Sequence, residues 1–228
     1  MDRRDFLKKS ALGVAVLAAG KVMANPVVES MNALAGDDGA PSVRTEMAQA
    51  DISVNEYIAS YRNADSFIEY CKQCSNYGRR YGCPPFDYDV MEFVSQYRKL
   101  RVLGFKVIPR EHLPLSKAND MIAEALPKMN GTLFSLEREL NGFACGFVGK
   151  CTFCTDTCAR IDGTPCRHPD KVRPSLEAFG FDLMKTSENL LGIKMVWGKD
   201  GMMPEYLTLV CGVFYERPIR STNVAKAY

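Results

Sequence analysis

Nine cysteines stand beside only two histidines in a chain of 228 residues, and their spacing limits what the chain can fold around. Cys71-Lys72-Gln73-Cys74 is a C-x2-C pair, followed after eight residues by Cys83-Pro84-Pro85. A denser group holds Cys145, Cys151, Cys154, Cys158 and Cys166, separated by five, two, three and seven residues. Cys211 stands alone inside Leu209-Val210-Cys211-Gly212-Val213, an apolar strand context that makes it a small buried hydrophobe.

The other eight thiols point to metal or cluster chemistry. Cubane iron–sulfur clusters take four thiolates each, and C-x2-C spacing lets one turn present two sulfurs to one centre. A group of three and a group of five become two sets of four when one second-group cysteine crosses to the first site. Cys151, Cys154 and Cys158 form the trio of one centre. Either Cys145 or Cys166 supplies its fourth ligand, leaving the other for Cys71, Cys74 and Cys83. The expectation is one or two [4Fe-4S] clusters on these eight cysteines, with an electron-transfer role toward a redox partner protein. Zinc is the alternative cofactor, since it takes the same thiolates at similar spacing. Disulfides suit two C-x2-C pairs poorly. Haem attachment needs C-x-x-C-H, whereas Ser75 and Thr155 follow the two pairs.

The N-terminus reads as an export signal. Arg3-Arg4-Asp5-Phe6-Leu7-Lys8 matches the twin-arginine pattern, and an apolar stretch from Ala11 to Gly20 follows. Val22-Met23-Ala24 supplies a small-x-small cleavage site. The apolar stretch is about half the ~20 residues that a membrane span requires. This reading implies the twin-arginine export machinery as a partner and a periplasmic destination after cleavage near Ala24. That route carries proteins already folded, so thiolates can arrive with their metal in place. Otherwise an oxidising compartment would pair them.

Hydrophobic residues make up 46% and charged residues 25%, proportions of an ordinary globular protein. Removing residues 1–24 takes five basic and two acidic side chains from totals of 29 and 27, leaving 24 against 25. Such a balance gives no electrostatic case for nucleic acid, and no stable span is expected in the mature form.

Four segments are expected: the signal (1–24), a flexible linker (25–50), a cysteine-rich domain (51–217) and a tail (218–228). A helical pattern begins at Ile52 with Tyr57, Ile58 and Tyr61 on one face. A second helix carries Phe67, Ile68 and Cys71, with Asp65-Ser66 as its capping start. Phe86–Tyr97 and Ser116–Leu140 read as further helices, the latter kinked around Pro127 and Asn130-Gly131. Leu176–Gly180 and Asp182–Leu191 are short helical pieces. Leu100–Ile108 and Phe143–Val148 read as strands, and Ile193–Trp197 with Tyr206–Tyr215 as a β-hairpin across Gly198-Lys199-Asp200-Gly201. The fold class is α+β or α/β, one domain with a small mixed sheet flanked by helices and cysteine-rich loops.

The motifs carry a resemblance. Cys71-Lys72-Gln73-Cys74-Ser75-Asn76-Tyr77-Gly78 running into Cys83-Pro84-Pro85-Phe86 is similar to an uncharacterised family of predicted metal-binding proteins. So are Cys151-x-x-Cys154, Cys166-Arg167-His168-Pro169, Arg173-Pro174-Ser175-Leu176-Glu177-Ala178 and Pro204-Glu205-Tyr206-Leu207-Thr208-Leu209. The resemblance implies metal binding over residues 52–215 and no particular reaction. A catalytic alternative has a metal with an open coordination position acting as Lewis acid. No Walker loop, Rossmann fingerprint or nucleophile elbow is present, and the C-x3-C-x2-C order of radical S-adenosylmethionine enzymes is missing. His112 reads as an exposed loop residue and His168 as a residue that orders Cys166. Arg167, Arg173 and Glu177 are expected to organise that loop through salt bridges.

Overall fold

The computed structural model describes residues 29–30, 42–146, 153–154 and 156–217. The signal, most of the linker, Cys151 and the tail lie outside them. The central feature is a five-stranded sheet of order β1-β2-β3-β5-β4. Its strands are β1 (Glu29–Ser30), β2 (Val43–Ser53), β3 (Lys99–Pro109), β4 (Phe143–Cys145) and β5 (Leu207–Tyr215). Every strand pair is antiparallel. The domain is therefore α+β, and its sheet is antiparallel rather than mixed. Among the described residues a parallel contact occurs only as a bridge outside the strands, Gly146 to Ser175.

Both faces of the sheet are covered, which explains the nearly continuous apolar run of β3. On one face Met47, Leu103, Phe105, Val107, Cys211 and Val213 meet the long helix α4 (Ala118–Glu139). That helix buries Met121, Ala125, Met129 and Leu133, each one turn beyond the last. It runs through Pro127, which sits on the exposed side, where water can satisfy the carbonyl left without an N–H donor.

On the other face Ala48, Ala50, Ile52, Leu100, Val102 and Phe214 meet Val54 and Tyr57 of α1 (Val54–Tyr61) and the 176–193 segment. α2 (Ala64–Lys72), α3 (Val90–Val94) and α5 (Leu183–Lys185) are further α-helices, the last continued by a π-helical turn over Thr186–Leu190. The first cysteine group lies in the β2–β3 connection, and the second runs from Cys145, the last residue of β4, into the connection to β5.

Several sequence expectations are corrected. Part of the stretch read as linker is β2, and Ile52 belongs to that strand rather than to a helix. Its inward residues on one side include Ala48 and Ala50, too small to announce an apolar period. Ser53 caps α1 by accepting from the Glu56 N–H at 3.2 Å. Asn63, rather than Asp65-Ser66, caps α2, accepting from the Ser66 N–H at 3.4 Å. The Phe86–Tyr97 helix shrinks to α3, whose start is fixed by Asp89 accepting from Glu92 N–H at 2.8 Å.

The expected hairpin has only one of its strands, β5. Residues 193–197 satisfy their backbone elsewhere: Ile193 N–H donates to the Ser187 carbonyl at 2.9 Å, and Met195 N–H to Glu188 Oε1 at 3.2 Å. The turn itself forms, with φ of 51° at Asp200 and 76° at Gly201. Positive φ at both central residues is the hairpin-turn geometry that Asp-Gly favours.

Candidate metal centre

Cys71 lies in the last turn of α2, and Cys74 follows in a succession of turns. Cys74 N–H donates to the Cys71 carbonyl at 2.9 Å and Tyr77 N–H to the Cys74 carbonyl at 3.1 Å. Gly78, at φ 67°, then donates its N–H to the Pro84 carbonyl at 2.8 Å, which closes the loop that carries Cys83 back toward α2. Glycine adopts that φ without a Cβ penalty.

Segment 156–166 packs onto this loop, and Arg160 does most of the joining. Its guanidinium donates to the carbonyls of Arg80 at 2.8 Å and Cys83 at 2.7 Å, and also to that of Pro85. It lies over the ring of Tyr81, 5.7 Å from the centroid. Tyr81 in turn donates its hydroxyl to the Thr164 carbonyl at 2.6 Å. Cys158 caps the short 3-10 helix Ala159–Asp162 that carries Arg160. The result is electrostatic contact across the two groups. Burial pushes the Cys83 thiol up to about 11, the charges of Cys74 and Cys158 add to the rise, and Arg80 and Arg160 oppose it. Cys83 is thus a protonated thiol at neutral pH, and any metal it took would have to displace that proton.

A second gathering involves Cys154 and Cys166. Arg167 pairs with Asp156 through contacts of 3.1 and 3.0 Å and also donates to the Thr157 carbonyl. The His168 N–H donates to Cys166 Sγ at 3.4 Å, so this residue orders Cys166 through its backbone. Arg173 reaches Glu137 on α4 with contacts of 2.8 and 3.0 Å, and Glu137 accepts from the Ala144 N–H of β4 at 2.8 Å. The salt bridges expected of Arg167 and Arg173 are therefore present, with Asp156 and Glu137 as partners.

Cys145 is fully buried in β4, facing the α1 side of the sheet. Burial raises its thiol well above the ordinary value, and its neighbours in charge are Arg173 and Glu137. Cys211 is equally buried on the α4 side, as its strand context implied. His112 is exposed. Cys74, Cys83, Cys145, Cys154, Cys158 and Cys211 carry free thiols. Among the described residues no three or more of His, Cys, Asp and Glu close into a coordination group. The donor chemistry, with thiols from two chain segments on packed turns, suits a thiophilic metal.

The sequence reading missed Arg160 and Glu137. Arg160 had a signal, as the sole basic side chain between Cys151 and Cys166. Glu137 had none, since nothing in a helix surface pattern shows that a distant arginine returns to it.

The family model described as "Predicted metal-binding protein (DUF2284)" matches residues 57–213. The chain belongs to that family. The matched range takes in both cysteine groups, β3, β4, most of β5 and the whole of α4. No curated protein and no solved structure matches the chain. Among the described residues no helix is long and apolar enough to cross a membrane.

Proposed function

We propose that this metal-binding protein is an exported iron–sulfur protein that passes electrons to or from a redox partner protein. Cys71, Cys74, Cys83 and Cys158 hold one [4Fe-4S] centre, and Cys151, Cys154, Cys166 and Cys145 the second. The observation that carries the reading is the packing of the segment that holds Cys158 onto the loop that holds Cys83, through the Arg160 hydrogen bonds to the Arg80, Cys83 and Pro85 carbonyls. It favours Cys158 over Cys145 or Cys166 as the cysteine that crosses between groups. A bound cluster supplies one-electron chemistry. The chain's own contribution is to present sulfurs from rigid turns and to set the surrounding charge through Arg80, Arg160 and Arg167. The twin-arginine leader supports export by the machinery that accepts folded passengers, with the periplasm as destination.

The burial of Cys145 favours a second reading. If it remains in the sheet core, the second centre has three thiolates and an open position, the arrangement of a Lewis acid in a metalloenzyme.

Anaerobic purification with iron, zinc and sulfide analysis and a visible spectrum tests both. Two cubanes predict brown protein with about eight irons and matching sulfide. Colourless protein holding zinc means a metal-stapled binding module. A pale, metal-free chain with its sulfurs paired removes the proposal. Export is tested separately: Arg3→Lys with Arg4→Lys should retain the chain in the cytoplasm.

A further inference from the structure

A cleft of about 300 Å³ opens beside Cys71, between α2, the Pro84–Pro85 segment and the turn at residues 177–180. That size is at the lower end of small-molecule sites, which run about 300–1,000 Å³. Its walls are Ile68, Pro84, Pro85, Phe86 and Phe179. The rings are already ordered: Phe86 stacks on Tyr88 at 5.1 Å and meets Phe179 edge-on at 5.5 Å. Phe86 thus offers a fixed, half-exposed apolar surface, with Phe179 buried behind it.

Arg62 lines the same cleft, half-buried. Its Nε donates to the Phe179 carbonyl at 3.1 Å, which fixes the guanidinium plane. Among the described residues its terminal nitrogens have no hydrogen bond or ion pair. The cleft also includes Asp65 and Glu177. Asp65 is exposed in the first turn of α2, where the helix N-terminus favours an acidic side chain, and Glu177 is engaged within the protein. The guanidinium is the charge left to recognise a ligand, and its two terminal N–H groups match a carboxylate.

We infer that this cleft binds a small organic carboxylate with an apolar body, its carboxylate on Arg62 and its body against Ile68, Pro85 and the half-exposed Phe86. Such a ligand lies against Cys71. Binding itself needs no metal, so the site stands apart from the cluster reading. Only its consequence rests on that reading: a ligand at Cys71 perturbs the centre that Cys71 helps to hold.

The test is titration of the purified full chain with benzoate, followed by ring-proton chemical shifts, with acetate and benzylamine as contrasts. Benzoate should bind saturably and move Phe86 and Phe179 signals. Acetate should bind at least tenfold more weakly, as should benzoate to Arg62→Gln. Ala178→Leu, which narrows the cleft and leaves the guanidinium in the chain, should abolish binding and serves as the test if Arg62→Gln does not fold. Unchanged affinity in either folded variant overturns the proposal, as does benzylamine binding as tightly as benzoate. In metal-loaded protein benzoate should also alter the visible spectrum. Arg62-dependent binding to a metal-free chain leaves the site standing and removes the cluster, while a brown protein blind to benzoate does the reverse.

Discussion

Arg160 donates to the carbonyl of Cys83 at 2.7 Å, although 77 residues separate them in sequence. The same guanidinium holds the Arg80 and Pro85 carbonyls. Charged hydrogen bonds of this kind contribute about 1.5–3 kcal/mol each, with incomplete additivity. Arg160→Gln should therefore lower unfolding free energy by roughly 2–4 kcal/mol, measured by urea denaturation, and release metal from the Cys83 centre. Arg160→Lys should rescue little, because one ammonium group cannot reproduce a fork aimed at three acceptors.

Metal content should partition by centre. Cys83→Ala and Cys158→Ala should each remove the same share, and the double variant no more than either single one. Cys154→Ala should remove about the same amount from the other centre, so that Cys83→Ala with Cys154→Ala loses nearly all of it, and Cys211→Ala none. Iron or zinc per chain, measured after anaerobic purification, checks this. Equal losses from Cys211→Ala and Cys83→Ala would break the ligand assignment.

Asp51 on β2 accepts from Arg101 Nε and Nη2 on β3 at 2.8 and 2.7 Å and from the Tyr215 hydroxyl at 3.0 Å. Burial pushes its carboxyl up, but these hydrogen bonds and the Arg101 charge outweigh it and leave it below its ordinary 3.8. A carboxyl lowered on folding stabilises above 3.8, and that stability is lost as pH falls through the folded value. Asp51 remains 44% exposed, so solvent limits the effect to below about 1 kcal/mol. Asp51→Asn should cost that much at pH 7 and nothing at pH 2, read from paired urea curves.

The Arg173–Glu137 pair is mostly covered, with side chains 19% and 14% exposed. Truncating one partner of such a pair leaves an uncompensated charge, at about 3–5 kcal/mol. Arg173→Met should approach that loss, while Arg173→Met with Glu137→Leu should recover much of it. A double-mutant cycle in thermal unfolding gives the coupling.

Two glycines separate backbone obstacles from side-chain ones. A Cβ on Gly142 would sit 2.4 Å from the Phe214 carbonyl oxygen, whereas one on Gly104 would meet Leu191 Cδ1 at 2.7 Å and Ile193 Cδ1 at 2.8 Å. Side-chain ends yield and a strand carbonyl does not. Gly104→Ala should cost about 1–3 kcal/mol, and Gly142→Ala should cost more, with Tm as the readout.

The long helix and the two central strands were legible because their periods run over many buried positions, as with Met121, Ala125, Met129 and Leu133. β2 was hidden by Ala48 and Ala50, whose small size is imposed by the elements packed over them. The second hairpin strand was expected from Ile193 to Trp197, yet Ser187 and Glu188 take its backbone donors, a tertiary choice that local pattern does not encode. For the candidate site, spacing singled out eight thiols as candidates but did not show which segments pack together. That packing depends on Arg160 reaching back to Arg80, Cys83 and Pro85, a contact between segments with no local signature.

That reach has a consequence for synthesis. Arg160 emerges from the ribosome 77 residues after Cys83, a delay of roughly 4–15 s at ordinary elongation rates. Throughout that interval the first three thiols are translated without the arginine that ties their loop to the later segment. On the proposed assignment of Cys158 to the first centre, assembly of that centre is necessarily post-translational for the first segment, and its thiols pass through synthesis unligated.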